Sequence, residues 1–298
     1  MALVVEPPTE PLIDPSRRET IELQSRADGC PVIVDVYGPR ERTGHLPLVV
    51  GPHAITWSAT EEYHGGLKGL MRKHHPGYFG LAEKHRVIIA LPHGHHHVEP
   101  QCSLAGPAQI VDLAGMRDTL AERGYAVDHR RVYACGLSMG AQEALVLAGR
   151  HPDRIAAVVA FNPIIDLAAW YEDLATSDVP EIREYDTAKR IASEIGGRPQ
   201  EVPDAYAARS PASYADGLTR VPSLIFWSDQ DLVVPRQSTH HVGPLTRRIS
   251  ELDANSPFAA YNHTRIHGPL TYDKLTRWQL HEWCDYDLAI SWMLRHQL

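Results

Sequence analysis

Short apolar runs alternate with helical segments through most of this chain, and this alternation constrains the fold more than any other feature. Helical patterns such as 110–123, with apolar residues near one face, separate the runs. Strands that are continuously apolar and separated by helices predict a mostly parallel sheet covered on both faces. The candidate strands cover residues 46–50, 86–91, 131–135, 155–161, 223–227 and 257–261.

The two ends of the chain differ from this pattern. Residues 20–25 alternate like a strand, 27–29 carry a turn signal, and 31–37 form a second strand pattern. We therefore predict an antiparallel hairpin at one edge of the sheet. Residues 1–18 are proline-rich and predict a loosely packed arm, and a Trp- and Leu-rich pattern over 272–296 predicts a closing helix. The whole chain, 1–298, is predicted to be a single α/β domain.

One segment is too long for a simple connection. About 50 residues, 166–217, separate two sheet strands, whereas a crossover needs only about a dozen. The segment holds short helical patterns such as 167–174 and 187–195. We expect it to form a small lid over the edge of the sheet where ligands bind.

The charge of the chain limits the kinds of molecule that it is expected to bind. The chain has a net charge of −8 and a pI near 6.1, which argues against nucleic acid and anionic membranes. We find no signal peptide and no uninterrupted apolar stretch approaching about 18 residues. The four cysteines form no C-x-x-C pattern, so free thiols in a reducing cytoplasm are expected. These features are compatible with a homo-oligomer of this chain.

The sequence Gly136-Leu137-Ser138-Met139-Gly140 lies between the strand pattern 131–135 and a helical pattern at 141–149. A strand that turns sharply into a helix through two glycines exposes the middle side chain at the edge of the sheet. The same turn places that side chain at a helix N-terminus, where backbone N–H groups can hold a negative charge. We predict that Ser138 is a nucleophile; the alternative is a serine that only caps the helix.

A nucleophilic serine needs a base, and the base needs an orienting carboxylate. In this arrangement the acid follows a later strand and the histidine follows the last strand. Asp231 lies in the loop after 223–227 and is the first choice for the acid. Asp229 in the same loop and Asp166 after the preceding strand are alternatives.

Three histidines compete for the role of base. His267 is the first choice because it precedes a glycine after the last strand pattern. His263 lies closer to the end of that strand. His281 is the candidate if the last strand lies near 275–280.

The oxyanion hole needs two backbone N–H donors. We predict Met139, which follows the nucleophile, and either Ala54 or Ile55 in the loop after 46–50. Hydrolases usually have His-Gly-Gly in that loop, whereas this chain has His53-Ala54-Ile55. The missing glycine restricts the backbone there.

A histidine-rich loop, 93–97, follows the strand pattern that ends at Leu91. Imidazole binds transition metals, but the spacing matches no known zinc pattern, and we assign no metal site. Contact with a substrate is a second interpretation, and a solvated loop is the preferred one.

Four stretches resemble the catalytic domain of the prolyl-oligopeptidase-type serine hydrolases and related esterases, within the α/β-hydrolase superfamily. They are 128–140, 151–155, 206–214 and 231–238, and the similarity extends over roughly residues 20–296. The resemblance implies an α/β-hydrolase fold and a triad carried onto Ser138, Asp231 and His267.

Two departures from this family bear on the substrate. Its larger peptidases carry a β-propeller, for which this chain has no room, and the oxyanion loop lacks its glycines. We therefore expect a serine hydrolase that cleaves a small-molecule ester through an acyl-enzyme and needs no cofactor. The alternatives are a peptidase or amidase acting on short peptides, an acyltransferase or cyclase with the same triad, and a non-catalytic binding protein.

Overall fold

One sheet lies at the centre of the molecule. The computed structural model describes residues 18–52, 77–95, 103–178, 186–231, 233–262 and 285–298. In that part of the chain the sheet has eight strands. They are β1 (Arg18–Gln24), β2 (Pro31–Tyr37), β3 (Leu46–Val50), β4 (Ile88–Pro92), β5 (Val127–Leu137), β6 (Ala157–Phe161), β7 (Ser223–Trp227) and β8 (Phe258–Asn262). Their order in the sheet is β1-β2-β4-β3-β5-β6-β7-β8. The first two neighbouring pairs, β1 with β2 and β2 with β4, are antiparallel, and the other five pairs are parallel.

Helices cover both faces of the sheet. Side chains of β3 show the two sides, because Leu48 and Val50 join one apolar cluster and Val49 joins another. The helices are α1 (Gly77–His85), α2 (Pro107–Glu122), α3 (Met139–Arg150), α4 (Leu167–Ala175), α5 (Thr187–Ile195), α6 (Pro203–Ala207), α7 (Ala215–Leu218), α8 (Gln237–His240), α9 (Val242–Leu252) and α10 (Tyr286–Met293). The first cluster includes side chains of α2, α3, α7 and α9, and the second includes those of α1 and α10.

The structure confirms the predicted fold class. The N-terminal hairpin forms as expected, with Gln24 opposite Pro31 and with Gly29 in the left-handed region at φ 79°. Strands β3 and β7 have the predicted ends. The continuously apolar runs became strands buried on both faces, because helices cover the sheet on each side.

Some boundaries differ from the prediction. β5 begins at Val127 rather than at 131, because Val127 pairs with Leu46 before the register shifts between Leu46 and Leu48. In the described C-terminal residues the closing helix covers Tyr286–Met293, a shorter range than 272–296. The arm over 1–17, a helical pattern at 65–73 and residues 263–284 lie outside the described residues.

Part of the long segment between β6 and β7 packs against residues that follow β5 and β7. Its helices α4, α5 and α6 contribute to a third apolar cluster, which also contains Met139 and Val234. The fully buried side chain of Trp170 belongs to this cluster. Within the described residues, no helix is long and apolar enough to cross a membrane.

Candidate active site

Ser138 occupies a strained bend between β5 and α3. Its φ of 56° and ψ of −118° lie outside the regions that non-glycine residues ordinarily adopt. The backbone N–H of Ser138 donates to the Phe161 carbonyl at 2.9 Å, which holds the bend against β6. The residue is partly exposed, whereas Leu137 and Met139 on either side are buried. The bend therefore presents one hydroxyl at the carboxyl edge of the sheet.

Close backbone packing explains the first glycine of the motif. A Cβ at Gly136 would lie 2.3 Å from the Gly140 carbonyl carbon and 2.7 Å from the Ala141 nitrogen. Helix α3 can begin directly against β5 only because position 136 has no side chain. The sequence prediction of a strand, a sharp turn and a helix at this motif agrees with this geometry.

The N-terminus of α3 points toward the Ser138 bend. Ser138 is the residue preceding the helix and makes no side-chain capping hydrogen bond. The first N–H groups of a helix have no partner within it, so the Met139 N–H is available in principle for a developing oxyanion. The other predicted donors, Ala54 and Ile55, lie outside the described residues.

Asp231 is a buried carboxylate in the loop after β7, two strands away from β5. The N–H groups of Val233 and Val234 donate to its Oδ1 at 2.8 and 3.2 Å. The side-chain amide of Asn162, at the end of β6, donates to its Oδ2. Because parallel strands end at one edge, Ser138, Asn162 and Asp231 all follow strands there.

Burial raises the pKa of Asp231 from 3.8 to about 6, while the hydrogen bonds from Val233, Val234 and Asn162 oppose that rise. The carboxyl is 3% exposed. Three hydrogen-bond donors thus fix the orientation of this carboxylate, and the surrounding protein excludes solvent from it. A buried, oriented acid of this kind suits a group that must hold an imidazole.

The two alternative acids have other contacts. Asp229 is exposed, and its Oδ1 accepts the Ser238 N–H at 2.8 Å across the loop. Asp166 caps α4 by accepting the Ala169 N–H at 2.9 Å. Both are ordinary turn or cap roles. The three candidate bases, His263, His267 and His281, lie outside the described residues.

A buried glutamate on α3 was missed by the sequence analysis. Glu143 accepts hydrogen bonds from the Ser103 hydroxyl, the Ala105 N–H and the Gln109 amide. Burial raises the pKa of Glu143. Ser103 and Ala105 belong to a loop in which Leu104 and Ala105 have φ values of 44° and 54°, and Gln109 lies in the first turn of α2. A single acid inside an Ala- and Leu-rich helical run was the signal for such a contact.

That strained loop also contacts the residue after the nucleophile. The Leu104 N–H points at the Met139 sulfur at 3.4 Å, and the Arg209 guanidinium donates to the Ser103 carbonyl at 2.9 Å. Glu143 and Arg209 therefore hold this loop against the N-terminus of α3.

The histidine-rich loop is not simply solvated where the structure describes it. His93 is 7% exposed and lies 3.3 Å from Asp35 on β2. His95 contacts Asp112 at 2.9 Å and Asp28 at 3.2 Å. These contacts correct the preferred interpretation for His93 and His95, because carboxylates of the hairpin and of α2 face them. In the ranges that the structure describes, no group of three His, Cys, Asp or Glu side chains could hold a metal ion.

Helix α4 contacts the loop between β7 and α8 that carries Asp231, residues 228–236, which we call the acid loop. The Trp170 indole N–H donates to the Val233 carbonyl at 2.6 Å. The buried Asp173 lies 3.2 Å from Arg236 and 3.1 Å from His240. These contacts tie the segment between β6 and β7 to the loop that carries Asp231.

A buried histidine adds another tie. Nδ1 of His241 accepts the N–H groups of Ile165 and Asp166, each at 3.3 Å, so the ring is neutral with its proton on Nε2. Burial first, and the neighbouring His240 second, lower the pKa of His241 to about 3. This histidine has a structural contact rather than the protonation behaviour of a catalytic base.

Family comparison decides the relationship that the motifs indicate. The model described as the prolyl oligopeptidase family matches residues 103–268, which is more than half of the chain. The chain belongs to the prolyl oligopeptidase family. This membership confirms the family resemblance that the sequence motifs indicated. No curated protein sequence matches the chain.

Solved structures share the fold at low sequence identity. Dipeptidyl peptidase 4 of Porphyromonas gingivalis superposes with a TM-score of 0.61 at 16% identity, over 94% of this chain and 35% of that one. An esterase of Rhizomucor miehei gives 0.60 at 15% identity, over 93% and 82%. S-formylglutathione hydrolase of Agrobacterium tumefaciens gives 0.59 at 14% identity, over 93% and 94%. The chain thus spans about a third of the dipeptidyl peptidase that it matches.

Proposed function

We propose that this member of the prolyl oligopeptidase family cleaves a carboxylic ester of a small molecule through an acyl-enzyme on Ser138. The observation that carries the proposal is the conformation of Ser138, a partly exposed serine at φ 56° on a sharp strand-to-helix bend. Non-glycine residues are held in such conformations mainly where the strain has a function.

Each step has an assigned group. The Ser138 hydroxyl attacks the carbonyl, and His267 accepts its proton and later delivers it to the leaving alcohol. Asp231 orients the imidazole. The Met139 N–H, together with Ala54 or Ile55, stabilises the oxyanion, and water then releases the acid. The family match ends at residue 268, which supports His267 or His263 over His281 as the base.

The decisive test of the nucleophile uses a fluorophosphonate probe, which needs no knowledge of the substrate. We expect the probe to label the wild-type protein and to leave Ser138→Ala unlabelled, because the change removes only the side-chain hydroxyl group that the probe would modify. Ser213→Ala, at an exposed serine, is the matched control and should label like the wild type. Labelling that persists in folded Ser138→Ala would disprove the proposal.

A comparison of leaving groups separates ester from peptide cleavage. The esterase and the formylglutathione hydrolase are matched over most of their lengths, whereas the dipeptidyl peptidase is matched over 35% of its own. These shares support the ester assignment, and the family match supports the peptidase alternative. Faster turnover of p-nitrophenyl esters than of aminoacyl p-nitroanilides is expected, and the reverse order would favour the peptidase.

We also propose that the segment 166–217 forms a fixed cover over the site. Its side chains share an apolar cluster with Met139 and Val234, which neighbour Ser138 and lie near Asp231 in sequence. A cover of this kind limits water near the acyl-enzyme.

Cys30 and Cys135 are free thiols, which supports a reducing compartment such as the cytoplasm.

A further inference from the structure

Asn162 contacts Asp231 from the neighbouring strand, and nothing in the triad chemistry requires it there. It is 1% exposed and has a φ of 44°, a left-handed conformation that asparagine tolerates better than most residues. Its backbone N–H donates to the Phe226 carbonyl at 2.8 Å, and its Oδ1 accepts the Ser228 N–H at 3.1 Å. One backbone contact and two side-chain contacts therefore fix this residue between the ends of β6 and β7.

These contacts also fix which way round the Asn162 amide points. Because Oδ1 accepts from a backbone N–H, the amide nitrogen must be the atom that faces Asp231. The side chain can thus donate to the carboxylate but cannot accept from it. A polar residue at the end of the buried strand 155–161 was the signal in the sequence.

The acceptor capacity of Asp231 can be counted. An ionised carboxylate has about four acceptor positions, two on each oxygen. Oδ1 accepts two backbone N–H groups, from Val233 and Val234. Oδ2 accepts the Asn162 amide and, within the described residues, no second donor. The remaining position is therefore on Oδ2, beside the amide.

We propose that Asn162 is a positioning residue, which turns the Asp231 carboxylate so that Oδ2 presents its remaining acceptor position to an N–H of the catalytic imidazole. The inference rests on the proposed function, because it requires Asp231 to be the acid of the triad. Asn162 acts through Asp231 and does not itself touch the reacting atoms.

Other titratable groups on the neighbouring loops have contacts of their own. Asp229 accepts the Ser238 N–H, and Asp166 caps α4. Arg236 and His240 contact Asp173, and His241 accepts backbone N–H groups. Asn162 is thus the one side chain in the described loops that donates to Asp231, so replacing it changes the environment of this carboxylate directly.

Two variants test the inference through the pH dependence of the fluorophosphonate labelling rate. Asn162→Asp keeps the shape and places a second carboxyl against Asp231. The added negative charge raises the pKa of Asp231 because it repels the carboxylate, and it raises the pKa of a nearby imidazole because it attracts the imidazolium. We expect the acid limb of the profile to move up by at least one pH unit and the rate at pH 7 to fall at least tenfold.

Asn162→Gly removes the amide while allowing the positive φ. It should also label at least tenfold more slowly, because the carboxylate is no longer held. Asn255→Asp, at an exposed turn residue, is the matched control for the added charge and should keep the wild-type profile. If the glycine variant does not fold, Asn162→Asp decides.

The two levels of the argument fail differently. If folded Asp231→Asn labels at the wild-type rate, the proposed triad is wrong. If Asp231→Asn is slow but folded Asn162→Asp keeps the wild-type rate and profile, the triad stands and the role of Asn162 is overturned.

Discussion

The carboxyl of Asp231 is buried, so its ionisation should affect the stability of the protein. Its pKa of about 6 lies above the ordinary value of 3.8, so the native state binds more protons than the unfolded state between these values. Stability is therefore highest below pH 4 with respect to this group and falls as the pH rises through 6. The shift corresponds to about 3 kcal/mol.

We expect Asp231→Asn to remove this decline. The free energy of unfolding in urea, measured at pH 4.5 and 7.5, should fall by roughly 2 kcal/mol less in the variant than in the wild type. Asp229→Asn, at the exposed acid of the same loop, should keep the wild-type difference. An equal difference between the two pH values in Asp231→Asn and the wild type would contradict this effect of burial.

The sequence predicted the sharp bend at Ser138 because the strand, the glycine, the serine and the helix follow one another directly along the chain. Asp231 followed from its loop, although that loop contained two acids that the sequence could not separate by burial. Asn162 and Glu143 were missed because their partners lie 69 and about 40 residues away in the chain. Contacts of that range depend on how the strands order themselves in the sheet.

Helix α4 and the acid loop are joined by the buried carboxylate of Asp173. Asp173 faces both Arg236 and His240, whose side chains are 57% and 35% exposed. Arg236 itself has a φ of 57°, so the loop is strained where the contact holds it. Loss of the Asp173 charge should therefore loosen the loop near Asp231.

Asp173→Asn should lower the free energy of unfolding by about 1–2 kcal/mol, a modest loss because the partners are partly solvated. It should also slow fluorophosphonate labelling severalfold, because the acid loop loses a support. Asp178→Asn, an exposed acid just after α4, is the control and should change neither quantity. Unchanged labelling and stability in Asp173→Asn would show that α4 does not support the acid loop.

Helices and strands were predicted best where the hydrophobic pattern and the turn residues that end it lie within one short stretch of sequence. β7 and the hairpin strand β2 have the predicted ends because turn residues border continuous apolar or alternating runs. The start of β5 was placed too late because Val127 pairs across a register shift with Leu46, a long-range contact. The closing helix was predicted too long, because Asp285 caps its first turn and the helix ends at Met293 rather than at residue 296.

Across the whole molecule, His95 ties the N-terminal hairpin to the rest of the sheet. It contacts Asp112 on α2 and Asp28 in the hairpin turn, and Asp112 also accepts the Ser25 hydroxyl at 2.8 Å. The hairpin lies at one edge of the sheet, far in the strand order from β6 and β7. Local opening at this edge should therefore be separable from opening near the site.

We expect His95→Ala to increase the hydrogen-exchange rates of β1 amides at least tenfold while leaving those of β6 and β7 unchanged. His129→Ala, at a histidine whose side chain is 51% exposed, is the matched control. Uniform acceleration across the sheet would instead indicate that His95 contributes to global stability, and no acceleration would show that the contact is dispensable.

The packing of the insertion between β6 and β7 (residues 166–217) against α3 limits how short this protein can be made. A Cβ at Gly217 would lie 1.8 Å from the Gly149 carbonyl oxygen, so the two backbones touch where the insertion returns to the sheet. Deleting residues 166–217 to obtain a minimal fragment would remove the side chains that pack with Met139 and Val234. Attempts to graft a new specificity onto this scaffold should therefore exchange side chains within the insertion and retain its backbone.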